Sequence, residues 1–229
     1  MFPDESVIGM DVKLLGVTPN PERMPALAAK LTHSSASVDE LEKSSEKELS
    51  SILGHVMSLG HTSVIEHTCF TFGISEVSRS LTHQLVRHRI ACYAQQSQRY
   101  VNLKEPVFVT PPSIAKDTSM KQAYEETMKK IWDQYNRLLS LGIPAEDARY
   151  VLPNAACSNI IVTMNARSLL NFFELRCCLH AQWEIRILAN KMLQLVKKEA
   201  PTIFSKAGPS CKTKGFCPEN DPSCQWYPK

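Results

Sequence analysis

Arg87-His88-Arg89-Ile90-Ala91-Cys92-Tyr93-Ala94-Gln95-Gln96-Ser97-Gln98-Arg99-Tyr100 is the densest polar segment of the chain, and the reading of the fold turns on it. Its opening three residues bring cationic or titratable groups side by side. Such neighbours repel one another by a few tenths of a kcal/mol even when exposed, unless an anion sits between them. An anion site and a solvated helix end with its loop are the two readings of that spacing. No lysine occurs between Lys47 and Lys104, yet Arg79, Arg87, Arg89 and Arg99 all fall there, and Arg149, Arg167 and Arg176 follow later. A planar fork of donors grips phosphate or carboxyl-like oxygens in fixed geometry, whereas a merely solvated charge is served equally well by lysine.

Outward from this segment, helical and strand patterns intermix. Upstream, Val77, Leu81, Leu85 and His88 recur at helical spacing, which sets Gln84 and Arg87 on the adjoining flank. Phe70, Phe72 and Ile74 alternate like a half-buried strand. Leu49, Ile52, Leu53, Val56 and Met57 form a helical stripe that Gly60 stops. Residues 32–45 are polar, 21–31 read as a short helix with Asn20 as its cap and Pro21 in its first turn, and 11–17 alternate as a strand. Downstream, 107–110 reads as a strand ended by Pro111-Pro112. Tyr124, Met128, Ile131, Trp132, Tyr135, Leu138 and Leu139 make the clearest amphipathic stripe, closed by Gly142. Pro144, Glu146 and Asp147 open another helix. Residues 159–164 are β-rich, 166–175 helical, and 181–199 a long helix ended by Pro201. Without a strict βαβ rhythm or a glycine-rich turn, the predicted class is α+β.

The 229 residues are 43% hydrophobic and 21% charged, which excludes disordered, collagen-like and fibrous chains. A net charge of +3 sets up no field that demands nucleic acid or an anionic membrane. No apolar run approaches the roughly 20 residues of a membrane span. The start, Met1-Phe2-Pro3-Asp4-Glu5, has no basic region followed by an apolar stretch. A cytoplasmic protein without membrane or nucleic-acid partners is expected. Cys69, Cys92, Cys157, Cys177 and Cys178 lie in periodic segments and are expected to be reduced, buried, small hydrophobes. With no G-x-G-x-x-G or G-K-[ST] loop, a bound nucleotide must be held by side chains and helix ends.

RHRIACYAQQSQRY resembles the signature R-H-R-x-x-S-x-N-x-x-S-x-R of the flavin-dependent thymidylate synthases, departing from it at Cys92 and Ala94. HTSVIEHTCFTF upstream and ARYVLP, MNARSLLNFFELR and HAQWEI downstream agree with the same family, so the likeness covers roughly residues 10–200. The resemblance implies a single α+β domain, a mixed central sheet with packed helices, over residues 1–205. It implies reductive methylation of dUMP to dTMP with methylenetetrahydrofolate as carbon donor, FAD as hydride carrier and NAD(P)H as reductant. A homotetramer with active sites shared between subunits is implied as well. His61, Ser63, Arg87, His88, Arg89, Gln95, Asn165, Ala166, Arg167 and Asn171 fall where the family binds FAD. Gln84, Leu85, Val86, Arg87, Gln95, Gln96, Ser97, Gln98, Arg99, Arg149 and Arg176 fall where it binds dUMP. Arg176 resembles the arginine that activates the uracil ring and is the expected catalytic residue; no metal is implied. Guanidinium groups suit phosphates and ring oxygens, and side-chain amides present paired donors and acceptors to a flavin or base edge. For Asn165 and Asn171 the residue-level alternative is helix capping or a polar surface. Glu66 and His67 read as structural, and His180 is left open.

Residues 206–229 form a tail with Cys211, Cys217 and Cys224, spaced more widely than a zinc knuckle. Metal, disulfide and free thiols all remain readings of it. As an appendix beyond the motifs, it is expected to be dispensable for FAD binding. Two other classes stand beside the enzyme: a nucleic-acid module built on the arginines with Tyr93 and Tyr100 as stacking platforms, and a metal-binding interaction protein centred on the tail.

Overall fold

The alternation at Phe70, Phe72 and Ile74 becomes one of four strands, and the stripes around it become the helices that bury it. The structure, a computed structural model, describes residues 9–228; residues 1–8 of the expected 1–205 domain and Lys229 of the tail lie outside the described residues. In chain order the elements are β1 (Asp11–Val17), α1 (Arg23–Leu31), α2 (Val38–Glu42), α3 (Glu46–Ser58), a 3-10 turn (Thr62–His67), β2 (Cys69–Ser78), α4 (Arg79–Leu85) and β3 (Ala91–Gln95). They continue with α5 (Pro112–Ala115), α6 (Thr118–Ser140), α7 (Ala145–Ala148), a 3-10 turn (Arg149–Val151), β4 (Cys157–Asn165), α8 (Ala166–Arg176), α9 (Trp183–Glu199), α10 (Pro201–Phe204) and α11 (Ser210–Thr213).

The strands pair in the order β1-β2-β4-β3, and the class is the expected α+β. The sheet is antiparallel rather than mixed. The Thr71 and Thr163 hydroxyls meet at 2.9 Å, whereas the Glu76 N–H donates to Asn159 Oδ1 at 3.2 Å, so β2 and β4 run in opposite directions. The Arg79 N–H donates to the Ala156 carbonyl at 3.1 Å, so the chain enters β4 beside the end of β2. A parallel neighbour would require a crossover back to the other end first.

By residue the chain forms two compact units. Gly73–Arg87 and Tyr93–Ile161 belong to the first, with the described residues up to Asp11; Val12–Phe72, His88–Cys92 and the chain from Val162 on belong to the second. In the first, Trp132 and Tyr135 of α6 are fully buried, and the Trp132 ring stands 6.2 Å from Phe108 while its Nε1–H donates to the Leu103 carbonyl at 2.9 Å. In the second, Phe204 meets Phe70 at 5.4 Å and Phe173 at 5.9 Å, both edge-on, the geometry that aromatic quadrupoles favour.

Several expectations are corrected. Asn20 does not cap α1: it precedes the helix with φ 48°, and Glu22 holds the cap position. The polar stretch at 32–45 contains α2, opened by a capping box between Ser37 and Glu40. Val77 belongs to β2, and α4 begins only after Ser78, whose side chain accepts from the Leu81 N–H. Residues 107–110 give a single bridge, Phe108 to Ala156, rather than a strand. The long helix α9 ends at Glu199 as expected, ahead of Pro201, which opens the separate short helix α10. Gly60 (φ 77°) and Gly142 (φ 83°) follow α3 and α6 in the left-handed region where a Cβ is strained, as their stop positions require. Of the five cysteines expected inside, only Cys177 is buried, and burial pushes its thiol up to about 12. Cys69 and Cys92 lie on the outward faces of β2 and β3.

Candidate active site

Apart from Arg176, which belongs to the second unit, the residues expected to hold substrate belong to the first unit. Gln84, Leu85 and Val86 close α4, Gln95 ends β3, and Gln96, Ser97, Gln98 and Arg99 follow it. Most of these side chains are already engaged. Gln95 Nε2 donates to Thr82 Oγ1 at 3.0 Å and Ser158 Oγ at 3.1 Å, tying the end of β3 to α4 and β4. Gln96 Oε1 accepts from Asn159 Nδ2 at 3.3 Å, Ser97 Oγ accepts from the Arg99 N–H at 3.1 Å, and Gln84 Nε2 donates to the Ser80 carbonyl at 3.3 Å. Arg99 grips Glu146 through Nε at 2.8 Å and Nη2 at 2.7 Å. Leu85 is fully buried, so only its backbone is on offer, and its carbonyl accepts from the Tyr93 hydroxyl at 2.8 Å. Arg87 is exposed.

Gln98 and Arg149, distant in sequence, line one cavity of about 250 Å³. Gln98 Nε2 is buried there without a hydrogen-bond partner. Arg149 is positioned at the start of the second 3-10 turn by its Nε–H, which donates to the Glu146 carbonyl at 3.0 Å. Arg79 and His83, one helical turn apart on α4, line the same cavity. Sequence reasoning missed both, although Arg79 shared the lysine-free stretch that marked the other arginines.

The residues expected to hold flavin lie largely in the second unit. His61 stands at the N-terminal end of the 3-10 turn that carries Ser63, with no capping bond from its side chain, and both residues are exposed. Glu66 of that turn pairs with Arg167 of α8. Asn165 caps α8, its Oδ1 accepting from the Ser168 N–H at 2.8 Å. Ala166 is fully buried and its N–H donates to the Thr68 carbonyl at 2.8 Å, so it has no side chain to present. Arg167 and Asn171 line a cavity of about 480 Å³, together with Thr62 of the turn and Lys206, Gly208 and Lys214 of the tail. Arg89 is exposed.

His88 is only 7% exposed, its ring edge-on to Phe172 at 4.9 Å. Arg176 donates from Nε to His88 Nε2 at 2.8 Å. The imidazole is therefore neutral at that nitrogen: burial first, and then the Arg176 charge, lower its pKa to about 4. The bond fixes the guanidinium and leaves its Nη1–Nη2 edge for a ligand. His180, left open by the sequence, pairs through Nε2 with Asp221 of the tail at 3.0 Å. Among the described residues no three metal-ligating side chains stand so as to hold an ion, and no helix is long and apolar enough to cross a membrane.

On this α+β fold, arginines and amides line the cavities, and the sequence carries no phosphate-binding glycine loop. The family model described as thymidylate synthase complementing protein matches residues 13–202. The flavin-dependent thymidylate synthase of Geobacter sulfurreducens is 55% identical over 218 residues, 94% of each chain. That of Clostridium tetani is 50% identical over 95% of this chain and 94% of its own. In fold, the crystal structure of a UMP/dUMP methylase from Streptomyces cacaoi bound with 5-Br dUMP is similar at a TM-score of 0.73 and 22% identity, covering 86% of this chain and 94% of that one. The chain belongs to the flavin-dependent thymidylate synthase family.

Proposed function

We propose that this enzyme converts dUMP to dTMP by reductive methylation, with methylenetetrahydrofolate as carbon donor, FAD as bound hydride carrier and NAD(P)H as reductant. The observation that carries the reading is the meeting of Gln98 and Arg149 at one cavity, since both were assigned to dUMP from separate motifs. Arg99 and Ser97 extend the same donor set toward phosphate. Arg176, oriented by His88, offers two parallel N–H groups to the uracil oxygens and N3. A preorganised guanidinium facing those atoms favours the anionic ring, and the more negative charge the ring carries, the better C5 serves as nucleophile toward the methylene carbon.

The second unit's donors suit a dinucleotide. Arg167 supplies charge, Asn171 an amide, and Thr62 a hydroxyl along a cavity of about 480 Å³. His61, Ser63, Arg89 and Asn165 complete the proposed FAD set, and Arg87, His88 and Gln95 are proposed to contribute alongside them. When bound, the flavin supplies hydride transfer, chemistry that no side chain performs. The homotetramer, the cytoplasmic location and the division at residue 205 belong to the same proposal.

The test is anaerobic turnover of dUMP with methylenetetrahydrofolate, NADPH and FAD. dTMP formation that requires every component is expected. A flavin-loaded protein that forms no dTMP, or forms it equally without folate, overturns the reading.

A further inference from the structure

From Cys211 to Pro228 no residue is buried, yet the segment is folded. It runs through α11 and then through turns closed by the Asn220 N–H on the Cys217 carbonyl at 3.2 Å, the Cys224 N–H on the Asp221 carbonyl at 3.2 Å and the Tyr227 N–H on the Cys224 carbonyl at 2.9 Å. A stretch without a core of its own needs another staple, a disulfide or a metal. Its three cysteines are partly exposed and free of disulfides. The bonds that hold the tail carry these thiols to the end of α8. Glu174, in the last turn of that helix, takes the Ser210 hydroxyl and the Lys214 ammonium from either side of Cys211. His180 pairs at 3.0 Å with Asp221, which lies between Cys217 and Cys224. Cys178 lies between Glu174 and His180 in the chain. Its neighbour Cys177 is buried at the helix cap, whereas Cys178 is only partly covered. The Cys211 thiol is held above its ordinary value by burial first and then by the charge of Cys178, with Cys217 and Cys224 adding to it against a backbone hydrogen bond at Lys212. Three other sulfurs thus lie within electrostatic reach of one thiol, more than a disulfide can use.

We propose that Cys178, Cys211, Cys217 and Cys224 take one zinc ion in a tetrahedral four-thiolate site that fastens the tail to the end of α8. Four soft sulfur ligands select zinc over magnesium or calcium, and a closed set of four leaves no open position for chemistry, so the ion is structural. As the side chains lie, no three of them stand around an ion. Binding turns the thiols between staggered rotamers, and the turns that carry two of them bury no side chain that would resist. Each thiol gives its proton to solvent as its sulfur takes the ion, and the binding free energy becomes folding free energy of the tail. Thr213 and Lys214 of the clamped segment line the cavity of about 480 Å³, so the ion also steadies that wall.

The test begins with elemental analysis of the full chain purified without chelator, where about one equivalent of zinc per chain is expected. Cobalt added to the metal-stripped protein should give the strong visible absorption of a tetrahedral thiolate site. Cys217→Ser and Cys224→Ser should each hold zinc at least about tenfold more weakly in competition with a chelating dye. Cys69→Ser and Cys92→Ser, on the outward faces of β2 and β3, should match wild type. Limited proteolysis should cut within residues 211–228 far faster once the metal is stripped. A wild type that binds no zinc overturns the proposal, however the variants fold. Zinc held equally by wild type and by the Cys217 and Cys224 variants overturns it too. So does iron with acid-labile sulfide in place of zinc, or a disulfide among the four cysteines found by alkylation and mass measurement of protein isolated under argon. None of these readouts depends on dTMP formation.

Discussion

At the scale of single residues, the hydrogen bond from Arg176 Nε to His88 Nε2 links a buried neutral imidazole to the proposed catalytic guanidinium. Arg176→Ala is expected to lose about 100- to 1000-fold in dTMP formation, the usual effect of removing one transition-state donor. NADPH oxidation by the flavin-loaded variant should fall far less, because it involves no uracil activation. Arg176→Lys should stay impaired, since a point charge spans neither two ring positions nor the His88 lone pair. Following the two half-reactions separately checks this. His88 also makes a pH prediction. Its folded pKa of about 4 lies below the ordinary 6.5, so the unfolded chain takes up the proton first. The stabilisation is fully present above pH 6.5 and is lost as pH falls toward 4, by up to about 3 kcal/mol. Urea midpoints measured across that window should drop more steeply in wild type than in His88→Phe. The sequence pointed to Arg176 and His88 separately, through the family motifs, but not to their bond. Burial beside Phe172 depends on how α8 packs, which no local pattern encodes.

At the scale of elements, α8 sets the geometry of the second unit. Asn165 caps it, while Leu169, Phe172 and Phe173 are buried along one side. Asn165→Ala should cost about 1 kcal/mol of stability by leaving the Ser168 N–H unpaired. Phe173→Ala should cost about 3–5 kcal/mol, because the cavity it leaves opens against both Phe172 and Phe204. Denaturant midpoints at constant slope would check both values. This helix was legible because its apolar residues repeat at helical spacing over three turns. α6 was legible for the same reason. β3 was not, since Ala91–Gln95 is short and half-polar, and its identity as a strand comes from pairing with β4. The stretch at 107–110 failed in the opposite sense. Its β-branched residues suit a strand, but only one bridge forms, to Ala156. Propensity describes what a pleated surface accepts, and the partner decides whether the surface exists.

At the scale of the whole chain, the tail clusters with the rest of the second unit and is held there by side-chain pairs. Glu174 of α8 takes the Lys214 ammonium at 2.8 and 2.7 Å and also the Ser210 hydroxyl. Asp221 pairs with His180 at 3.0 Å, and the Lys212 ammonium lies 3.5 Å over the Trp226 ring. Single exposed pairs of this kind contribute little each, but here they hold a segment whose residues 206–208, 213 and 214 line the same cavity as Arg167 and Asn171. The thiol spacing that drew the eye to this segment carries none of that information, because the partners lie on α8 and after it. Truncation after Ser205 is therefore expected to weaken FAD binding by at least about tenfold, since part of the cavity wall and two of its cations go with the tail. Glu174→Gln in the full chain should weaken it less, by loosening the clasp while leaving the wall in place. Flavin fluorescence titration of both proteins, after melts establish that they fold, gives the answer. Unchanged affinity in the truncated protein would mean that the flavin is bound elsewhere and that the tail serves the fold alone.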